Sequence, residues 1–464
     1  MLLYDVIVIG GGASGLMAAI AAAECGSRVL LLEHNELPGK KILSTGNGRC
    51  NFTNRKMGPG YYRSDSKSGD DSCARGTPAA DFTAPALAAF PPGDCIGFFE
   101  TLGVRTVEKN GWCYPRSMQA GTIRRALENE CRRLQVSVIC GAFVTSITHR
   151  DSGFSVNVRI KEAAYTAGAQ TAKKNREAFA VYQSRSCILA AGGLADPKSG
   201  SGGSGYALAE ALGHLIIPPV PALVPLICDA KWLKSVRGVR AAGKVTLELS
   251  CAAQTNSKNF RTAGEELSAE GELQFTEYGI SGIPVFQVSR FAARGLQDPE
   301  TKITAHLDLV PEFEKKALIH ALEEVLLSDY CPASAQDLLG GMIHAKPAAV
   351  IADWLHAKRL NLRELSQAEK SEFAARAAEK LKDIPLTVTG VKDFDQAQVT
   401  AGGIHTGEID QETMESRLVP GLYFAGEIID VDGPCGGYNL QWAFCSGRAA
   451  GRAASKCCES TDPF

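Results

Sequence analysis

The sequence predicts an α/β protein whose principal domain is split in the chain, with a β-rich and a helical segment inserted in its middle. Three observations predict it. An apolar run, Tyr4–Ile9, leads straight into Gly-Gly-Gly-Ala-Ser-Gly at 10–15 and then into an alanine-rich helical stretch, Leu16–Glu24. A second strand-like run, Val29–Glu33, ends in an acid. Glycine-rich α/β character then fades and returns only in the last part of the chain, from residue 399.

The opening motif has a physical reading. Gly10 permits the tight turn out of the strand, Gly12 lets the backbone approach a pyrophosphate, and Gly15 lets the helix pack close to the strand. The helix N-terminus then offers free N–H groups and the positive end of its dipole. Glu33, eighteen residues past Gly15, is in range to accept from ribose hydroxyls. Strand, glycines, helix, second strand and terminal acid together specify a Rossmann-type dinucleotide-binding domain.

The remaining elements follow in order. Residues 55–80 are polar and rich in Gly, Ser and Asp, and read as a flexible surface insertion. Helical patterns resume near Ala86 and at Ala120–Leu134. Val136–Cys140, Ala142–Thr148 and Phe154–Ile160 read as strands. Residues 161–178 form a second polar insertion, read as a hairpin tip, and Ser186–Ala191 is an apolar strand ending in Gly192-Gly193. Prolines 218, 219, 221 and 225 mark a boundary. The organisation is therefore a first cofactor-domain segment (1–215), an inserted β-rich module (216–310), a helical module (311–384), a return strand to the inserted module (385–398) and a second cofactor-domain segment (399–464).

Bulk properties exclude several classes. With 464 residues, 45% hydrophobic and 22% charged, the chain is an ordinary globular protein. A net charge of −2 and the lack of a basic run argue against nucleic acid as a partner. No apolar stretch is long enough to span a bilayer. The first strand begins at Tyr4 with no signal peptide before it, so a cytoplasmic location is expected. The fifteen cysteines show neither CxxC pairs nor metal-ligand spacing. They read as reduced thiols filling core space, the Cys457–Cys458 pair on a frayed tail, and no metal site is expected. Oligomeric state is left open.

A second anion-facing device identifies the cofactor. Gly421–Glu427 is a buried strand ending in Gly-Glu, and Gly436-Gly437-Tyr438-Asn439-Leu440 then opens a helix, Gln441–Ser455. NAD alone has no need of it. A flavin does, because a helix N-terminus favours the anionic reduced ring by about 0.3–1 kcal/mol. Lys40–Asn54 adds two lysines, Gly48, Arg49, Cys50 and three asparagines in a loop suited to wrapping a diphosphate and ring. The stretch Gly200–Gly205 matches GxGxxG by letter, but it lies beyond the end of its strand and no acid-terminated strand follows. It reads as a loop near the flavin, or as flexible chain, rather than an NADPH site.

GGGASGLMAA, the TGNGRCN stretch, TEYGISG at 276–282, VTAGGI at 399–404 and GLYFAGEIIDVDGPCGGYNLQWAFCSG together resemble the BaiN/YhiN-type, aminoacetone-oxidase-like flavoproteins. The resemblance spans nearly the whole chain except the two polar insertions and residues 252–270. It implies FAD in a split Rossmann-type domain carrying an inserted β-barrel and a helical subdomain. The implied FAD contacts are Ala13, Ser14, Glu33, Lys41, Arg49, Cys50 and Asn51, then Val144, Gly426, Glu427, Asn439 and Leu440. Gly10, Gly12, Gly15, Gly48, Gly192 and Gly437 complete the candidate cofactor set. The chain departs from the family at GGLADPKSGSGGSG, which replaces a Tyr-Pro and GSTGDG-like stretch.

The leading expectation is reduction of a C=C bond conjugated to a ketone, of the 3-oxo-Δ4 or Δ4,6 steroid or bile acid type. NAD(P)H would act as a transient electron donor, and the substrate would be a small apolar molecule. Candidate proton donors are Tyr438, Tyr278 and His405, each beside a glycine-rich motif. The alternatives are an oxidase or dehydrogenase of a small amine such as aminoacetone, and a non-enzymatic flavin redox sensor.

Overall fold

The computed structural model describes residues 3–66, 77–150, 153–161, 177–251 and 267–459. The chain divides into two units, Met1–Val220 with Gln398–Phe464, and Pro221–Ala397.

The first unit is built on a seven-stranded sheet. Its parallel centre is Ser137–Ile139, Val29–Leu32, Leu3–Ile9 and Glu177–Leu189, with Leu422–Phe424 pairing the last of these. Helices cover a parallel sheet on both faces, so its strands are apolar without interruption. Val6, Ile7, Val8, Leu30 and Leu31 are accordingly fully buried. The strand Glu177–Leu189 shows both regimes. Its first half pairs antiparallel with Gly153–Lys161 and alternates in exposure, while Cys187–Leu189 enters the parallel sheet and is wholly buried. The turn expected between these two strands, residues 162–176, lies outside the described residues.

The first helix, Ala13–Glu24, packs along the last, Tyr438–Glu459. Small residues make that approach possible. A Cβ on Gly451 would lie 3.0 Å from the carbonyl carbon of Ala18, and one on Gly447 would lie 3.1 Å from that of Ser14. The contact ends in a hydrogen bond between Ser27 Oγ and Ser455 Oγ, 2.7 Å. The final helix runs to Glu459, so Cys457 and Cys458 belong to its last turn rather than to a frayed tail.

The polar stretch at 55–80 departs from expectation. Tyr62 is fully buried, and its hydroxyl donates to the carbonyl of Tyr438 at 2.9 Å. Ser64 Oγ, Asp65 N, Ser66 N and Ser66 Oγ all donate to Oδ2 of the buried Asp430. The composition that suggested solvation instead satisfies an interior carboxylate, which is costly to bury unbonded. Residues 67–76 lie outside the described set.

In the second unit, six antiparallel strands close a barrel. Around it they run Leu226–Asp229, Gly279–Gly282, Ser268–Phe275, Arg240–Cys251, Thr301–Asp308 and Ile384–Val391. Closure leaves no free edge. The helices Ile283–Gly295, Lys315–Leu327, Ala345–Trp354 and Gln367–Lys382 share one apolar core with the barrel. Gln367–Lys382 opens with a capping box, in which Ser366 and Glu369 satisfy each other's backbone N–H groups. Among the described residues no helix is long and apolar enough to cross a membrane. Cys95, Cys131 and Cys187 are thiols that fill core space.

The helix pair supplies a stability test. Gly451→Leu places a branched side chain against the Ala18 backbone, and overpacking of this kind costs about 1–3 kcal/mol. Urea denaturation should show a loss of at least that size, whereas Arg452→Leu, on the exposed side of the same helix, should leave the midpoint nearly unchanged.

Candidate functional site

A cleft of about 1230 Å³, counted out to its open mouth, lies within the first unit. The glycine turn forms its floor. Gly10 has φ +101°, and a Cβ there would meet the carbonyl oxygen of Ala190 at 2.5 Å. A Cβ on Gly15 would collide with the carbonyl oxygen of Gly10. A Cβ on Gly12 would meet nothing within 4 Å. The three glycines thus serve a left-handed turn, a close helix–strand contact and an open approach. Gly12 is also the N-cap of the helix Ala13–Glu24, with no side-chain cap and no acid in the first turn. The helix's first N–H groups are left without side-chain partners where an anion would be received.

Glu33 stands beside this turn, 5% exposed. Its Oε2 accepts from Gly11 N at 2.7 Å, and its Oε1 accepts from Asn35 N and Nδ2 at 2.7 and 2.8 Å. Two segments converge on Glu427. Lys41 Nζ lies 2.6 Å from its Oε2, and Thr400 N donates to its Oε1 at 2.8 Å. Thr400 Oγ1 in turn accepts from Leu194 N and Ala195 N.

Of the candidate cofactor residues, Gly10, Gly12, Ala13, Ser14, Glu33 and Lys41 line the cleft, as do Val144, Gly192, Glu427, Asn439 and Leu440. Gly15, Gly48, Arg49, Cys50, Asn51, Gly426 and Gly437 are not among the lining residues. Gly426 and Gly437 are packing positions, the first against Ser14 and the second against Thr53 and Asn51. Arg49 is exposed, with its guanidinium 5.8 Å from the Tyr114 ring centre. Cys50 is fully buried at φ +57°, and burial pushes its thiol up to about 12, so no thiolate forms near neutrality.

The proton-donor candidates separate. Tyr438 opens the last helix, immediately before the cleft-lining Asn439 and Leu440. Its ring lies 5.0 Å from that of Tyr61, centre to centre. Burial, then Tyr61, pushes its phenol up to about 12. His405 Nδ1 accepts from Gly407 N at 3.0 Å, so this ring caps a turn. Tyr278 belongs to the other unit, where Lys392 Nζ sits 3.9 Å from its ring centre. Among the described residues no group of three His, Cys, Asp or Glu side chains is placed to hold a metal ion.

The cleft fits a dinucleotide such as FAD. An uncapped helix N-terminus, an open approach at Gly12 and an acid beside them suit a diphosphate and a ribose. One buried cleft-lining group, Nε1 of Trp442, also has no partner among the described residues. Unpaired buried polar groups call for a ligand or water. Sequence reasoning missed His34, Asn35, Phe143, Gln398 and Trp442 as lining residues. It assigned the 200–205 stretch only loosely, whereas Ser199, Gly200, Ser201 and Ser204 all line the cleft. The signal was available for His34 and Asn35, which directly follow Glu33.

The model of the HI0933-like protein Rossmann domain matches residues 4–453. The chain belongs to this family. It is 39% identical over 455 residues to 3-dehydro-bile acid delta(4,6)-reductase of Clostridium scindens, covering 97% of this chain and 98% of that protein. It is 30% identical over 448 residues to ribosomal RNA dihydrouridine synthase of Escherichia coli, covering 96% of each chain. It is 27% identical to the protein of the same description from Haemophilus influenzae, over 97% of this chain and 98% of that one. The family fold is the Rossmann type used to bind FAD, with additional subdomains.

The Tyr438 environment predicts a pH dependence. Its folded value of about 12 lies above the ordinary 10, so the unfolded chain loses this proton first. The associated stability is complete below pH 10 and is lost as pH rises from 10 through 12. Denaturation curves across that window should fall less steeply for Tyr438→Phe than for the native chain.

Proposed function

We propose that this protein is an FAD-dependent oxidoreductase that reduces a C=C bond conjugated to a carbonyl, with a 3-oxo-Δ4 or Δ4,6 steroid or bile acid as substrate. The cleft is the observation that carries the reading: an uncapped helix N-terminus and a buried acid form a dinucleotide site in a chain matching a bile acid reductase from end to end.

Bound FAD would supply hydride-transfer chemistry to a conjugated C=C bond. The chain's own residues hold and orient the group. The Gly10–Ser14 turn would receive the diphosphate, and Glu33 would accept from the ribose. Lys41, paired to Glu427, places a positive charge on the cleft wall. The α-carbon then needs a proton. Tyr438 is the candidate for this role because it directly precedes the cleft-lining Asn439 and Leu440. NAD(P)H would be the electron donor.

A second reading, reduction of uridine in RNA, is supported by the two ribosomal RNA dihydrouridine synthases. The chemistry is the same at the bond: the uracil C5=C6 bond is conjugated to C4=O. The net charge of −2 describes the whole chain and does not exclude a local RNA contact.

Anaerobic stopped-flow absorbance separates these readings. The protein is reduced with NADH or NADPH and mixed either with a 3-oxo-Δ4 steroid or with a ribosomal RNA fragment. Rapid flavin reoxidation by the steroid alone is the expected result, and reoxidation by RNA alone would replace it with the second reading. Tyr438→Phe should slow reoxidation about 100-fold or more if the phenol delivers the proton, while leaving the rate of reduction by NAD(P)H unchanged.

A further inference from the structure

The glycine stretch that departs from the family pattern sits at the end of the cleft marked by Glu33. Asn35 joins the two. Its Nδ2 donates to Glu33 Oε1 at 2.8 Å and to the carbonyl of Ser199 at 3.0 Å. A second tie lies further along, where Ser44 Oγ donates to Asp196 Oδ2 at 3.1 Å. Just past the Ser199 tie the chain is pressed against its neighbour. Gly200 has φ +105°, and a Cβ there would lie 2.6 Å from His34 Nε2 and closer still to Asn35 Nδ2. The backbone angle favours glycine, and a larger residue would also displace the side-chain ends of His34 and Asn35. Ser199, Gly200 and Ser201 line the cleft beside His34 and Asn35.

We infer that the Asp196–Ser201 segment is a clamp on the adenosine end of the cofactor, with Asn35 and Gly200 as its positioning residues. This rests on the FAD reading above. The ribose acceptor, Glu33, shares one carboxylate oxygen with Asn35, so the group that orients the ribose also holds the clamp. The glycines of this stretch therefore serve close packing and turning rather than a second phosphate loop. The clamp's task is retention: FAD leaves only when the Asn35–Ser199 bond opens. It acts at the adenosine half and has no bearing on the flavin ring.

The test compares FAD-loaded full-length protein with its Asn35→Ala and Gly200→Ala variants. Release of FAD is followed by the rise in free-flavin fluorescence after dilution, and ADP is used as a competitor for rebinding. Losing one such hydrogen bond should speed release about fivefold. ADP affinity should fall by the same factor, and the flavin midpoint potential should not move. Unchanged release in both variants would overturn the clamp. So would a shifted potential with unchanged ADP affinity, because the loop would then act on the flavin. Asp196→Gly keeps a residue suited to φ +56° and cuts only the Ser44 tie. It provides the same comparison if the other variants fold poorly, with a smaller rise in release expected. A full-length protein that binds no FAD at all would sink the flavoprotein reading itself, a result distinct from failure of the clamp.

Discussion

One constraint organises the first unit: the helix Ala13–Glu24 must begin at the cleft with its N-terminal N–H groups unspent. A helix end left uncapped is ordinarily a defect, since its N–H groups lack partners. Here the defect is held in place from three sides. Gly15 brings the helix against the backbone of Gly10, Gly447 and Gly451 bring the last helix against its flank, and Gly426 lies against Ser14. Each contact requires the absence of a side chain, so the site is shaped by what its glycines omit.

This arrangement explains why the domain is split. The parallel sheet needs Leu422–Phe424 beside Glu177–Leu189, and the cleft needs Glu427 opposite Lys41. Both partners come from the end of the chain. The inserted unit between them folds around a separate apolar core, closed as a barrel and extended by helices. An insertion with its own core leaves the sheet and cleft undisturbed, provided the chain leaves and returns on neighbouring strands. Ile216–Ala222 and Val399–Ile404 pair with each other and do this.

Polar residues in the interior follow the same economy. Asp430 gathers four donors from the segment Ser64–Ser66, and Glu427 gathers a lysine and a backbone N–H. These carboxylates tie segments hundreds of residues apart. A buried carboxylate without such partners would be strongly unfavourable, so each one enforces the local geometry around it. Relatives named a bile acid reductase and a ribosomal RNA dihydrouridine synthase each match this chain over almost its whole length. Different names on one fold are what sites grafted on a shared scaffold allow.

The sequence by itself determined the α/β class, the glycine turn, the acid after the second strand and the return of the fold at its end. These are local signals: an apolar period, a glycine spacing and a terminal acid each act within a few residues. Tertiary structure alone decided the rest. It turned the polar stretch at 55–66 into partners for a buried carboxylate, because Asp430 lies far away in the chain. It put His405 on a turn, where the ring accepts a backbone hydrogen bond. It also brought Gly200 against His34, a contact that no spacing rule contains. Composition and period report on the neighbours a residue has along the chain. The partners that satisfy a buried charge or demand a missing side chain come from elsewhere, and only folding brings them together.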